Sequence, residues 1–129
     1  MEVRASARFI RMSPRKVRLV SDIVRGMNTE GADTQLRFIK KAAARPVLKL
    51  LRSAVANAEH NFKLDKHKLF VKKITVDGGP MMKRSRARAF GKAAPIRKRS
   101  CHINIILEER VVAEESKNKN NKKKVETSK

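Results

Sequence analysis

Near the start of the chain Val3, Ala5, Ala7 and Phe9 alternate with Arg4, Ser6 and Arg8. A period of two sends successive side chains to opposite faces of a strand, so this pattern predicts a first strand with one buried face and one cationic face. At Ser13-Pro14 the period changes. Ser13 suits a helix N-cap and Pro14 the first helical position, and Val17, Val20 and Val24 then recur on one face beside Leu19 and Ile23 until Gly26 ends the helix. Thr29 is a candidate cap for a second helix, in which Ala32, Leu36, Ile39 and Ala43 follow at intervals of four, three and four. Pro46 opens a third, whose stripe of Val47, Leu51, Val55, Ala58 and Phe62 is widened by Leu48, Leu50 and Ala54. Residues 69–76 are rich in β-branched and aromatic side chains and predict a second strand, interrupted by Asp77-Gly78-Gly79-Pro80. Cys101, Ile103, Ile105 and Leu107 alternate with His102 and Asn104 as a third. The predicted fold class is α+β, with three helices packed on a small three-stranded antiparallel sheet.

Residues 78–100, between the last two strands, fit neither period. They contain no acidic residue and eight basic ones: Lys83, Arg84, Arg86, Arg88, Lys92, Arg97, Lys98 and Arg99. Such a segment cannot build a core. Run out and back as a hairpin of ten or so residues per arm, at roughly 3.3 Å per residue, it would project on the order of 30 Å from the body. It is therefore read as a long basic β-hairpin extension, expected to be poorly ordered until its arginines meet phosphates or stack on bases. Pro95 has no N–H to give to a ladder, which predicts broken pairing across the arms at that point.

Charge widens the picture. Over 129 residues, 33 Lys and Arg face 12 Asp and Glu, a formal net charge of +21. Self-repulsion on that scale calls for a polyanionic partner, and a phosphate backbone is the obvious one. From residue 108 onward the composition becomes low-complexity and polar, with seven basic and five acidic residues, so 26 basic against 7 acidic remain in the body. The expected organisation is a single globular RNA-binding domain over residues 1–110, including the hairpin at 78–100, followed by a disordered, solvated, lysine-rich tail at 111–129. Met1-Glu2-Val3-Arg4 has no apolar run behind it, and no stretch approaches the roughly 18 apolar residues of a membrane span, so the protein is expected to stay where it is made, with no membrane partner.

The same residues weigh against other functions. The carboxylates of the body are scattered singly, no phosphate-binding or dinucleotide glycine motif is present, and no metal-ligand spacing occurs, so no enzyme, cofactor or metal is expected. The single cysteine, Cys101, allows neither an internal disulfide nor a thiolate zinc cluster and reads as a small buried apolar residue. His60, His67 and His102 read as surface or RNA-contact residues. Three short helices with basic faces could hide a helix-turn-helix, but the acid-free finger and its flanking strands argue against a DNA partner. Aromatic residues make up 4% of the chain, all of them Phe. That is too few for a membrane-active amphipathic face or a single-strand stacking platform, and it leaves phosphate and shape recognition of folded RNA.

Several long motifs then occur in one order: residues 7–18 (Ala-Arg-Phe-Ile-Arg-Met-Ser-Pro-Arg-Lys-Val-Arg), Lys41-Ala42-Ala43, residues 53–61 (Ser-Ala-Val-Ala-Asn-Ala-Glu-His-Asn), Gly79-Pro80 and residues 98–103 (Lys-Arg-Ser-Cys-His-Ile). In these motifs the chain resembles the bacterial large-subunit (50S) ribosomal proteins of the L-twenty-two family, from about Ala5 to Leu107. The resemblance implies a globular domain on the outside of the subunit near the exit of the nascent-peptide tunnel, with a hairpin threaded through 23S ribosomal RNA to the tunnel wall. It implies an early role in subunit assembly and a cytoplasmic location in the ribosome. The implied partners are 23S ribosomal RNA, neighbouring large-subunit ribosomal proteins and the nascent polypeptide.

Carried over residue by residue, the resemblance makes Arg8, Arg11, Ser13, Arg15, Lys16, Arg18 and Arg25 RNA contacts from the first strand and helix. Asn57, His60 and Asn61 would contact RNA from the end of the third helix. Lys83, Arg84, Arg86, Arg88, Lys92, Arg97, Lys98, Arg99 and His102 would do so along the hairpin. Met82, Lys83, Arg84, Arg86, Arg88, Ala89, Phe90 and Gly91 would line the tunnel. Two positions depart from the family pattern: Ala87 stands where many members have a proline before the Arg-Ala pair, and Pro95 is added in the returning arm.

Overall fold

A computed structural model of the chain describes residues 1–110, so the tail expected at 111–129 lies outside the described residues. Strand β1 (Glu2–Ile10) is followed by α1 (Pro14–Val24), α2 (Thr29–Phe38), α3 (Ala44–Phe62) and a single 3-10 turn (Lys66–Lys68). The remaining strands are β2 (Leu69–Gly78), β3 (Met82–Ala87), β4 (Ala93–Lys98) and β5 (Cys101–Glu109). β5 lies at the centre of an antiparallel sheet of order β1-β5-β2, while β3 and β4, among the described residues, pair only with each other. The fold is the expected α+β arrangement, with the hairpin standing apart as a second sheet.

One face of the three-stranded sheet is apolar because the period-2 pattern makes it so: Val3, Val71, Ile74, Cys101, Ile103, Ile105 and Leu107 are all buried on it. Fully burying each Val, Leu or Ile contributes about 1.5–3 kcal/mol, and the helices supply the cover. α1 lies along β2, α3 crosses β1 and β5, and α2 packs on α3. Val17, Val20 and Val24 of α1 meet Val47, Leu50, Leu51, Ala54 and Ala58 of α3 in a single cluster with the sheet. The stripe on α1 is narrow, so Leu19 and Ile23, which lie beside it, remain exposed.

Local chemistry moves several boundaries. α2 stops at Phe38 with Ile39 as its C-cap, so the four-three-four spacing that predicts helix as far as Ala43 overruns the element. Ala43 is buried nonetheless, in the turn before α3. α3 begins at Ala44, two residues ahead of Pro46, and a proline in the first turn lacks only an N–H that has no helical partner there. Asn28, not Thr29, occupies the cap of α2; the Thr29 hydroxyl instead donates to the Lys66 carbonyl at 3.1 Å and ties the helix to the 3-10 turn. Phe62, at the end of the α3 stripe, is exposed.

In β1 the expected alternation fails at Phe9. The register slips between Ala7↔Ile103 and Ile10↔Cys101, and Phe9 has a φ of 57°. This bulge turns Ile10 towards the core and leaves Phe9 63% exposed. The Phe9 ring then meets His102 edge-on, with centroids 4.9 Å apart, and its N–H donates to His102 Nδ1 at 3.0 Å.

Pairing of the hairpin is not broken at Pro95, contrary to expectation: the ladder runs without interruption from Met82↔Lys98 to Ala87↔Ala93. The Arg88 N–H donates to the Lys92 carbonyl at 2.8 Å, which marks Arg88 and Lys92 as a hydrogen-bonded pair. Antiparallel pairs alternate, so Arg86–Ala94 is the next bonded pair and Ser85–Pro95 falls at a non-bonded one, where the nitrogen points away from the partner strand. Pro95 therefore costs the hairpin no bond.

Candidate nucleic-acid interface

The register of β5 decides which basic residues meet. Ile10 and Gly78 both pair with Cys101. The chain leaving β1 towards α1, the chain leaving β2 towards the finger and the chain returning into β5 therefore converge at one end of the sheet. There Gly79 and Ser100 form a joint. The Gly79 N–H donates to the Ser100 carbonyl at 3.0 Å, and the buried Ser100 hydroxyl donates to the Pro80 carbonyl. A Cβ on Gly79 would stand 2.6 Å from Ser100 Oγ and 3.1 Å from His102 Nε2, so only glycine allows this approach.

An open groove of about 470 Å³ lies between the start of α1 and the root of the finger. Arg11, Met12, Ser13 and Lys16 line it from the body; Met82, Arg84, Arg97, Lys98 and Arg99 line it from the finger. No carboxylate among the described residues faces this groove. Among the described residues, none of its six cations takes part in a salt bridge, and the one side-chain hydrogen bond from them runs from Arg84 to the neighbouring Lys83 carbonyl. The Ser13 side chain makes no capping bond, and the first turn of α1 has no acidic residue. The groove is thus an uncompensated concentration of positive charge with hydrogen-bond donors at its rim.

Lys83 sits at the root, paired with Arg97, and beyond the groove the finger continues as an exposed cationic ribbon carrying Arg86, Arg88 and Lys92. Its tip is the turn Ala89-Phe90-Gly91 inside the Arg88–Lys92 pair, with φ of 57° at Phe90 and 66° at Gly91. Phe90 is 98% exposed. Met82, which the family resemblance groups with the tip, pairs with Lys98 at the root and lines the groove. Arg8 and Arg15 are exposed near the same end.

Other predicted contacts are tied up within the fold. Arg18 donates through Nε and Nη2 to the Val76 carbonyl at 3.1 and 3.0 Å, pinning α1 to β2. Arg25 pairs with Asp22 at 2.9 Å and reaches the Ile74 carbonyl at 3.4 Å. His102 lies on β5, not on the hairpin, and its Nδ1 is taken by Phe9. Asn57, His60 and Asn61 are not brought to the groove. They sit towards the end of α3, which leads through the 3-10 turn to Leu69, the end of β2 farthest from the finger. Ten residues of strand, about 30 Å at 3.3 Å each, separate the two ends of β2.

The acidic residues cluster elsewhere. Glu30, Asp33 and Glu59 line a groove between α2 and α3. Asp33 bridges Arg37 at 2.7 Å and Arg52 at 2.8 Å, and the hydrogen bond from Arg52 holds its carboxyl below the usual carboxylate range. On the open face of the sheet Lys72 pairs with Glu2 and Glu108, and those bonds raise its pKa. Burial pushes the Cys101 thiol up, as befits an unreactive apolar residue. Among the described residues no group of His, Cys, Asp or Glu could hold a metal, and no helix is long and apolar enough to cross a membrane.

The roles of Met12, Gly79, Pro80 and Ser100 emerge only in the folded chain. A signal existed for the last three, since Gly-Gly-Pro ends one strand and a serine precedes the next, bracketing the acid-free segment. Convergence on Met12 depends on the register of β5, which no local pattern encodes.

Comparison with known proteins bears on this arrangement. Residues 5–108 match the family model described as ribosomal protein L22p/L17e. A protein of Syntrophomonas wolfei named large ribosomal subunit protein uL22 is 51% identical over 112 residues, covering 87% of this chain and 99% of the relative. Proteins of the same name are 54% identical in Syntrophobacter fumaroxidans, over 85% of this chain and 100% of the relative, and 55% identical in a Synechococcus strain, over 82% and 86%.

Proposed function

Because the chain belongs to the ribosomal protein L22p/L17e family, we propose that its finger and the adjoining end of its body bind 23S ribosomal RNA, aid early subunit assembly and carry the finger tip to the wall of the nascent-peptide tunnel. The coarser role follows from membership alone: the protein is a structural, non-enzymatic component of the large ribosomal subunit in the cytoplasmic ribosome, with ribosomal RNA and ribosomal proteins as partners. The observation that carries the finer reading is the finger itself, two paired arms within a segment, residues 78–100, that bears eight basic residues and no acidic one and stands outside the core. A surface of this kind binds phosphate. The exposure of Phe90 at the tip, between Arg88 and Lys92, supports the reading that the tip is what meets the tunnel wall and a passing nascent chain.

Cross-linking in cell extract tests the reading, with a variant lacking residues 82–94 alongside. None of the removed residues belongs to the core cluster, so the variant should keep its helical circular dichroism signal. The full chain should link to separated sites in 23S RNA, and the variant should lose only the sites reached by the finger. Links mainly to DNA, or an unchanged pattern in the variant, would refute the proposal.

A further inference from the structure

We infer that the groove between the start of α1 and the root of the finger is a phosphate clamp, with one jaw on the body and one on the finger, which grips consecutive backbone phosphates of a single RNA strand. The inference rests on the reading of the chain as an RNA-binding protein and specifies where two parts of the molecule act on the same ligand. Arg11 and Lys16 form the body jaw; Arg84, Arg97 and Arg99 form the finger jaw. Like charges held across an open groove repel, and among the described residues no carboxylate lies between them to relieve this. An anion shared by both jaws converts that repulsion into attraction. Arginine forks match phosphate oxygens two at a time, and a lysine supplies a point charge beside them.

The lining selects backbone over base. Among the described residues no aromatic ring lines the groove to offer a stacking surface, and Met12 and Met82 give it apolar sides between the charges. The jaws lie on units joined covalently only through the two strands at the Gly79–Ser100 joint, so a bound strand fixes the angle between finger and body. Cations on opposite jaws therefore act on one ligand, and their contributions are coupled.

A double-mutant cycle on the full chain, read as affinity for a 23S RNA transcript at several salt concentrations, tests this. The variants are Lys16→Gln, Arg97→Gln and their combination; Arg45→Gln with Lys49→Gln on exposed positions of α3 serves as a charge-matched control. Each single groove variant should lose roughly tenfold in affinity and the double little more, a coupling of about tenfold, within the range for residues sharing a partner. The control pair should show only small, additive losses and leave the salt slope nearly unchanged, whereas each groove variant should make it shallower. All the substituted residues are exposed, so an unchanged helical signal is expected throughout. Additive losses at Lys16 and Arg97, or losses no larger than those of the control, would overturn the clamp while leaving RNA binding intact. A parent chain whose affinity ignores salt would overturn the RNA reading, and the clamp with it.

Discussion

At the scale of single residues, two positions carry consequences out of proportion to their size. Gly79 is pressed against Ser100 and His102, whereas a Cβ on the adjacent Gly78 would meet nothing within 4 Å. Gly79→Ala should therefore lower stability by about 1–3 kcal/mol, as overpacking does, and Gly78→Ala should leave it nearly unchanged; urea unfolding of both variants checks the contrast. Asp33 is the second position. Arg52 and Arg37 hold its carboxyl below the unfolded value of about 3.9, so the fold favours the ionised form. That stabilisation is complete above about pH 4 and is lost as the pH falls through the lower folded-state value. Asp33→Asn should flatten the acid limb of a stability-against-pH curve, and an unchanged limb would mean that the bridge contributes nothing.

At the scale of elements, α3 organises the body by covering two strands and supporting α2. Leu51, at its centre, is 1% exposed. Leu51→Asp should cost several kcal/mol by burying an unpaired charge, leaving a chain without cooperative thermal unfolding. Most elements are legible in the sequence because their periods are set by burial on one face: Val17, Val20 and Val24, or Cys101, Ile103, Ile105 and Leu107, can be read directly. The failures come where another force takes over. Ile39 and Ala43 keep a helical spacing beyond the end of α2 because both contact the core from a turn. Phe9 keeps a strand spacing but leaves the core through a bulge whose hydrogen-bond and ring partner, His102, is 93 residues away. The basic character of the interface was legible as well. Its division into a groove, a ribbon and a tip was not, because that depends on which strand lies in the middle of the sheet.

At the scale of the whole molecule, unpaired positive charge gathers at the finger end, while between α2 and α3 Glu30, Asp33 and Glu59 are balanced by Arg37, Arg52 and Lys66. This polarity orients the protein on RNA before any contact forms. Affinity for the 23S transcript should fall linearly with salt on logarithmic axes, at roughly 0.7–0.9 per phosphate engaged; a flat line would show that charge does not drive association. The position of Pro95 matters here in another way. Its nitrogen faces outward from the free edge of β4, midway between Ala93 and Arg97, and a strand from another molecule seeking to extend the ribbon would find a missing donor there. Pro95→Thr should leave the finger folded but promote self-association, visible as growing light scattering once salt screens the repulsion between ribbons. The proline would then serve the newly made protein, keeping it dispersed during the interval before it meets its RNA.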